Sequence, residues 1–471
     1  GGKTSLPRQN RILSIDEGSC RPPFNIRNTN ALYHFFFLEN NSVWCILKGQ
    51  KGDRSMKETR KTDLIQLCRE LLRRPGVSGR EGDVARFISG TMRTLGYDDV
   101  STDSYGNVVG RLFFSGGGER VLLTAQMDHV DAGDVAEWSK YPFGAFIEEG
   151  RIYGRAASDQ KGALASMIMA GAFLKADKRR RLNGELIVAA AVHQETFENV
   201  ASRAIGESTD PSCVIVGEAS SLCLERGQRG RAEIRLDTFG KMAHSSHPEH
   251  GTNAADTMNS LLSFIKNRFV PPRDPFLGEG ILVLTSMNTT PPCAGGAIPE
   301  KCTSLFDRRL LTGESLEGAA RDLQRVIDDA TGVIPGLRAR VSFPVTEDRC
   351  YTGAPIRGNH YAPAWVLPAD SEYLGILSRA LRDADLPADI SSRPGFGTNG
   401  CHYAVERGVP TVIYGPSRRE LVHRVDEFIE IQELIGACEG YYAMAGRLLS
   451  RTGTLFEARG AAPAILSSGG R

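Results

Sequence analysis

Asp128-His129-Val130-Asp131 follows the apolar run Val121-Leu122-Leu123-Thr124-Ala125, and Ser158-Asp159-Gln160-Lys161-Gly162 comes downstream. An apolar run that short predicts a buried strand. Ligand groups gather outside the carboxyl ends of strands in an open α/β sheet. His and Asp donors together suit a borderline cation such as zinc. Taken alone, His129 is more simply a solvated histidine beside carboxylates. Two further apolar runs change the balance. Leu186 to Val192 ends at His193-Gln194-Glu195, and Cys213 to Val216 ends at Gly217-Glu218. Successive strands ending in His/Asp, Gln/Glu and Glu point to a metal site.

The elements that must position these groups follow from period and punctuation. Leu64, Leu67, Cys68, Leu71 and Leu72 share a helical face that Pro75-Gly76 stops. Val84 to Leu95 forms a second such face, closed by Gly96. Asn107 to Phe114 predicts a strand, with Gly116-Gly117-Gly118 as the turn into the central strand. Small and apolar residues from Ala163 to Leu174 predict a helix packed closely on a sheet. The texture changes near Gly227. Strands are expected at Ala232 to Phe239, Ile281 to Met287, Thr303 to Leu310 and Leu337 to Phe343, with helices at Asn253 to Ile265 and Leu316 to Ile327. That order suits a separate α+β layer with helices on one face of an antiparallel sheet. An α/β pattern returns with a helix near Leu374 to Leu386, a strand Thr411 to Tyr414, then His423 and a final helix from near Glu427.

Composition bounds the function. The chain has 471 residues, 41% hydrophobic and 24% charged, with a formal net charge of +1. That length predicts two or three domains. The near-zero charge argues against a nucleic-acid or anionic-membrane partner, and no apolar run reaches membrane-spanning length. The ten cysteines include no CxxC pair, so a reduced, cytoplasmic setting is expected. Residues 1–55 lack a sustained period and a convincing cleavage site, and are expected to be a disordered extension or a start-site artefact. The expected divisions are 1–55, a catalytic part 56–226, an inserted part 227–345 and a second catalytic part 346–471.

From about Lys61 to Leu449 the chain resembles the metallopeptidase family of aminoacylase, acetylornithine deacetylase, succinyl-diaminopimelate desuccinylase and the glutamate carboxypeptidases. Its His-x-Asp after an apolar strand is matched by His129-Val130-Asp131. Trp138, Pro142-Phe143, Gly154-Arg155 through Asp159-Gln160-Lys161-Gly162, and Gly217-Glu218-Ala219-Ser220 follow in order. Gly240-Lys241-Met242-Ala243-His244-Ser245-Ser246, Asp307-Arg308-Arg309, and Gly415-Pro416 with His423 and Asp426-Glu427 complete the series. Asn399, in Phe396-Gly397-Thr398-Asn399-Gly400, stands where most members have Asp. With the Ser158 to Gly162 wording, this resembles a deacetylase-like branch found in selenium and purine gene neighbourhoods.

The resemblance implies an α/β, zinc-exopeptidase-like catalytic domain with a mixed sheet flanked by helices, interrupted by an α+β dimerisation or lid domain. It implies two zinc ions, with cobalt or manganese as substitutes. On this resemblance His129 would bind one and His423 the other, Asp159 would bridge them, and Glu195 and Glu218 would each complete one site. Asp131 orients the His129 imidazole. By the same resemblance His244 would reach the partner subunit's site in a homodimer and stabilise the oxyanion. Arg309 holds a substrate carboxylate, its alternative being an ion pair with Asp307. Asn288 and Asn399 are candidate substrate contacts. His247 and His250 are expected in solvent. A thiol nucleophile at Cys401 beside His402 is not expected, because adjacency in sequence does not give reacting geometry.

The implied activity is amide hydrolysis by metal-activated water on a small N-acyl amino acid or dipeptide-like substrate. No Gly-rich dinucleotide fingerprint supports another use of the sheet. One departure is sharp. The family has two adjacent glutamates, base then ligand, where this chain has Gln194-Glu195. A carboxamide cannot take the water's proton. A metal- or ligand-binding relative with reduced or lost turnover is therefore the alternative. Glu198 as substitute base, and Glu195 as the base itself, stay open.

Overall fold

The computed structural model describes residues 58–451 apart from 293, 294 and 396. The expectation for residues 1–55 lies outside them. The main sheet has six strands, in the order Asp99–Thr102, Val108–Phe113, Asn183–Ala191, Ser115–Gln126, Cys213–Val216 and Thr411–Ile413. The first two pairings are antiparallel and the remaining three parallel. The inner strands read as continuous apolar runs because both their faces are covered: Val121, Leu122 and Leu123 are all fully buried.

The helices Glu58–Leu72, Gly162–Ala176 and Ile431–Leu449 share one core with one face of this sheet. Gly162–Ala176 is buried on all sides through Leu174. Its Ala and Gly residues let Ile431–Leu449 pack directly against it. On the opposite face Leu122, Ile187, Val214 and Ile413 meet Ile205, Trp365 and Tyr403.

A second sheet has the order Ile281–Thr290, Lys301–Leu310, Gly230–Phe239 and Ala339–Ser342, antiparallel throughout. Tyr361–Ala362 also pairs with Gly230–Phe239. Lys301–Leu310 alternates strictly between buried and half-buried residues, as a strand with one covered face must. That cover is supplied by Ala254–Arg268 and Leu316–Thr331, through Leu261, Leu323 and Ile327 against Ile234, Leu236 and Phe306. Asn253 and Ser315 cap these helices through their side-chain oxygens.

Three local expectations are corrected. Gly116 to Gly118 do not form a turn. They lie inside the Ser115–Gln126 strand, where the pairing register shifts between Ser115 and Arg120 and Gly116 takes a φ of +70°. The last helix starts at Ile431, because Phe428–Glu430 first pairs as a strand with Arg151–Tyr153. The Val200–Thr209 helix was not expected; its weak apolar pattern is masked by Gly and Ser. No helix among the described residues is long and apolar enough to cross a membrane.

Candidate metal centre

Three neighbouring parallel strands deliver the site. Gln126 is the last residue of the central strand, Gln194-Glu195 follow Asn183–Ala191, and Glu218 follows Cys213–Val216. Asp159 arrives on the irregular turn that leads into the Gly162–Ala176 helix. His423 arrives from the loop after Thr411–Ile413, with a φ of +60°. One ligand atom each from Asp159, Glu195 and His423 lies within 4.8 Å of the others. His423 Nε2 is 3.1 Å from an Asp159 oxygen and 3.4 Å from Glu195 Oε1. Hydrogen bonding to Asp159, then to Glu195, pushes the His423 imidazole up to about 10. Burial, and then the Asp159 charge, push the Glu195 carboxyl up. Two carboxylates and an imidazole converging in this way fit zinc or a related divalent ion.

Buried acids hold the backbone of this cluster. Glu427 is paired with Arg155 at 2.7 Å and accepts from the N–H groups of Ser158 at 2.8 Å and Asp159 at 3.1 Å. Asp128 is fully buried and accepts from the N–H groups of Gln194 and Glu195, both at 3.1 Å, and from Ser78 Oγ at 2.8 Å. Its carboxyl is pushed up by burial.

His129 and Asp131 are not brought to this cluster. His129 lies beyond the strand end, in a bridge with Val77. Its Nε2 accepts from the Gly76 N–H at 2.8 Å and its Nδ1 is 2.7 Å from the Val130 carbonyl, so both ring nitrogens are engaged by backbone. Burial, and then the Lys161 charge, push it down to about 3, so it stays neutral. Asp131 accepts from the Gly133 N–H and does not touch the imidazole. The strand-end positions belong to Gln126-x-Asp128. Gln126 Nε2 donates to Asp159 Oδ1 at 3.0 Å and to Glu195 Oε1 at 2.9 Å. The signal missed was position: the residue closing an apolar strand projects at its mouth, and that residue is Gln126.

The remaining expected residues fall in different places. Glu218 is buried but outside the three-residue cluster; its carboxyl accepts from Gln160 Nε2 and from the Ala219 N–H. Burial, then Asp159, raises it well above the carboxylate range. Gln194 lines a crevice with Gln126, Gln160, Thr398 and Asn399, and its amide reaches Gly397 O at only 3.5 Å. Asn399 Oδ1 accepts from the Asn199 N–H. Arg309 pairs with Asp307 at 2.7 Å, the alternative weighed from sequence, while remaining partly exposed near Gly397. Glu198 is tied to Arg231 at 3.2 Å. His244, in the short pairing of Ala243–His244 with Ala297–Ile298, is exposed and bonded to Ser246, and it is not among the clustered groups. His247 and His250 are exposed, and Asn288 is exposed beside Ser286. Cys401 is buried against Asn199 and Thr398, while His402 faces Glu406, so they do not form a reacting pair.

Residues 122–447 match the peptidase family M20/M25/M40. The uncharacterized protein YgeY of Escherichia coli (strain K12) is 30% identical over 386 residues, covering 81% of this chain and 93% of that one. Succinyl-diaminopimelate desuccinylase 2 of Ruegeria sp. (strain TM1040) is 26% identical, covering 82% of this chain and 94% of that one. The crystal structure of a tripeptidase from Staphylococcus aureus superposes with a TM-score of 0.67 at 17% identity, covering 83% of this chain and 99% of that one. With its mixed sheet, its acid- and imidazole-lined strand mouths and this match over most of its length, the chain belongs to peptidase family M20/M25/M40, hydrolases of amide bonds.

Proposed function

We propose that this chain hydrolyses the amide bond of a small N-acyl amino acid or dipeptide-like substrate, slowly, with a divalent metal held by Asp159, Glu195 and His423. The observation that carries the reading is the convergence of those three side chains within 4.8 Å at the mouth of the sheet. Zinc is the proposed ion, with cobalt or manganese as substitutes. A cation bound there supplies Lewis acidity toward the scissile carbonyl and makes water acidic enough to attack near neutral pH. Glu427 and Asp128 fix the backbone that carries the ligands. Arg309 and Asn399 are the proposed substrate contacts, Arg309 offering its guanidinium to a carboxylate once Asp307 shares it. Gln194 orients water through its carboxamide but does not take a proton. Relatives named for succinyl-diaminopimelate and for acetylornithine support the N-acyl amino acid class.

Removal of metal by a chelator is expected to abolish hydrolysis across a panel of N-acyl amino acids and dipeptides, and zinc, cobalt or manganese is expected to restore it. Full turnover by metal-free protein would sink the reading. A second reading, a metal- and ligand-binding relative without turnover, is favoured by the carboxamide at Gln194. Calorimetric binding of a panel member with no product over many hours would select it.

We further propose that residues 227–345 are an inserted dimerisation part and that His244 serves the partner's site. The long edge strand Ile281–Thr290 exposes Ile281, Val283, Leu284 and Met287, and an apolar edge of that length favours pairing with a second copy. Mixing His244→Ala chains with His423→Asn chains is expected to recover activity that neither has alone, since one hybrid site keeps both side chains. Heterodimers shown to form yet inactive would count against His244 acting in trans. The seven described cysteines are free thiols, which supports a reducing, cytoplasmic setting.

A further inference from the structure

Gln126 and Gln160 do something at this site that its metal ligands do not. The Gln126 amide nitrogen lies between two carboxylates, 3.0 Å from Asp159 Oδ1 and 2.9 Å from Glu195 Oε1. Both neighbours only accept when ionised, so the nitrogen, not the oxygen, must face them. Gln126 Oε1 is accordingly left without a partner. Gln160, beside Asp159 in sequence, donates from Nε2 to Glu218 Oε2. Its Oε1 accepts from the Gln126 backbone N–H at 3.3 Å, which ties the Gln160 side chain to the end of the central strand. The other Glu218 oxygen accepts from the Ala219 N–H at 3.2 Å. Gln126, Gln160 and Glu218 are each no more than 3% exposed.

This arrangement supplies hydrogen bonds where a second cation would sit. An ion shared by Asp159 and Glu218 needs a lone pair from Asp159 Oδ1, one from Glu218 and one from the residue at the central strand's end. Here the Asp159 and Glu218 oxygens are taken by amide N–H groups. The strand-end residue turns toward both carboxylates an amide nitrogen, whose lone pair is delocalised and does not ligate, and its only other donor is a neutral amide oxygen, which suits hard cations rather than zinc. Buried carboxylates brought this close need a cation or donors between them, and the carboxamides are those donors. We propose that the chain binds one divalent metal, at Asp159, Glu195 and His423, and that the Gln126–Gln160 pair is a built-in replacement for a second ion. The sequence-based expectation of two zinc ions does not fit these donors. The inference rests on the metal-dependent reading above and adds the stoichiometry and the residues that set it.

The test is metal counting on the full chain. Purified protein saturated with zinc and freed of excess is measured by elemental analysis against amino-acid analysis, and metal-free protein is titrated with Co(II) while its visible absorption is followed. One equivalent per chain is expected. Two equivalents at comparable affinity would overturn the inference while leaving the metal-dependent reading intact. None would overturn that reading itself. Gln126→His places an imidazole lone pair at the strand end, and two equivalents per chain are then expected. Should that variant fail to fold, Gln126→Glu keeps the native shape, supplies a carboxylate and is expected to give the same doubling. A folded variant that still binds one ion would show that Gln126 does not exclude the second.

Discussion

Gln194→Glu is expected to raise turnover at least about a hundredfold, the lower end of what a positioned general base contributes, with metal content unchanged. Asp128 holds the backbone N–H groups of residues 194 and 195 in place, so the new carboxylate starts from a fixed position. The native amide makes only a 3.5 Å contact to Gly397 O, so little structure is lost with it. The new group sits in a largely buried crevice lined by Gln126, Gln160, Thr398 and Asn399, with the Glu195 carboxyl on the next residue of the chain. Burial and like charge both push a carboxyl up, toward the neutral pKa that suits a base. Steady-state turnover with metal measured on the same sample checks it. A fall in turnover, together with complete loss in Glu198→Gln, would assign the base to Glu198 despite its ion pair with Arg231. Loss in Glu195→Gln with metal fully retained would assign it to Glu195.

His423→Asn should remove metal as well as rate. Losing even a supporting group around a metal typically costs about tenfold to a hundredfold in affinity, so losing one of the three clustered side chains should cost at least about a hundredfold. Asn is the suitable replacement because residue 423 has a φ of +60°, which Asn tolerates better than most residues. The His423 side chain is 46% exposed, so no core cavity opens. Equilibrium dialysis against zinc gives the affinity and thermal melting of the metal-free protein confirms the fold. Unchanged metal affinity in a folded His423→Asn chain would remove His423 from the ligand set. His129→Ala provides the contrast. His129 is tied to Gly76 and Val130, so its loss should lower stability while leaving metal stoichiometry as it was.

The sequence by itself determined the layers and most of the chemistry. Leu186 to Val192 and Cys213 to Val216 are unbroken apolar runs because both faces of a parallel sheet are covered, and each ends in the acid that the fold presents at the strand mouth. The alternation of Ala232 to Phe239 marked a strand with one open face, and Leu316 to Ile327 marked the helix that covers the other. Asp159 and His423 were legible from motif order. Which residue stands at the mouth of the central strand was decided only by the tertiary structure. His129 is the more reactive residue on paper, and in sequence it lies just past the same apolar run. The strand runs on through Gln126, and the chain then turns beneath the segment after Pro75-Gly76. There a backbone N–H from a distant part of the chain claims the imidazole. Hydrogen bonds across 33, 58 and 69 positions, Gln126 to Asp159, Gln160 to Glu218 and Gln126 to Glu195, have no local pattern that a reading of spacing could detect. They exist because three neighbouring strands end at one level and leave buried carboxylates that must be given donors.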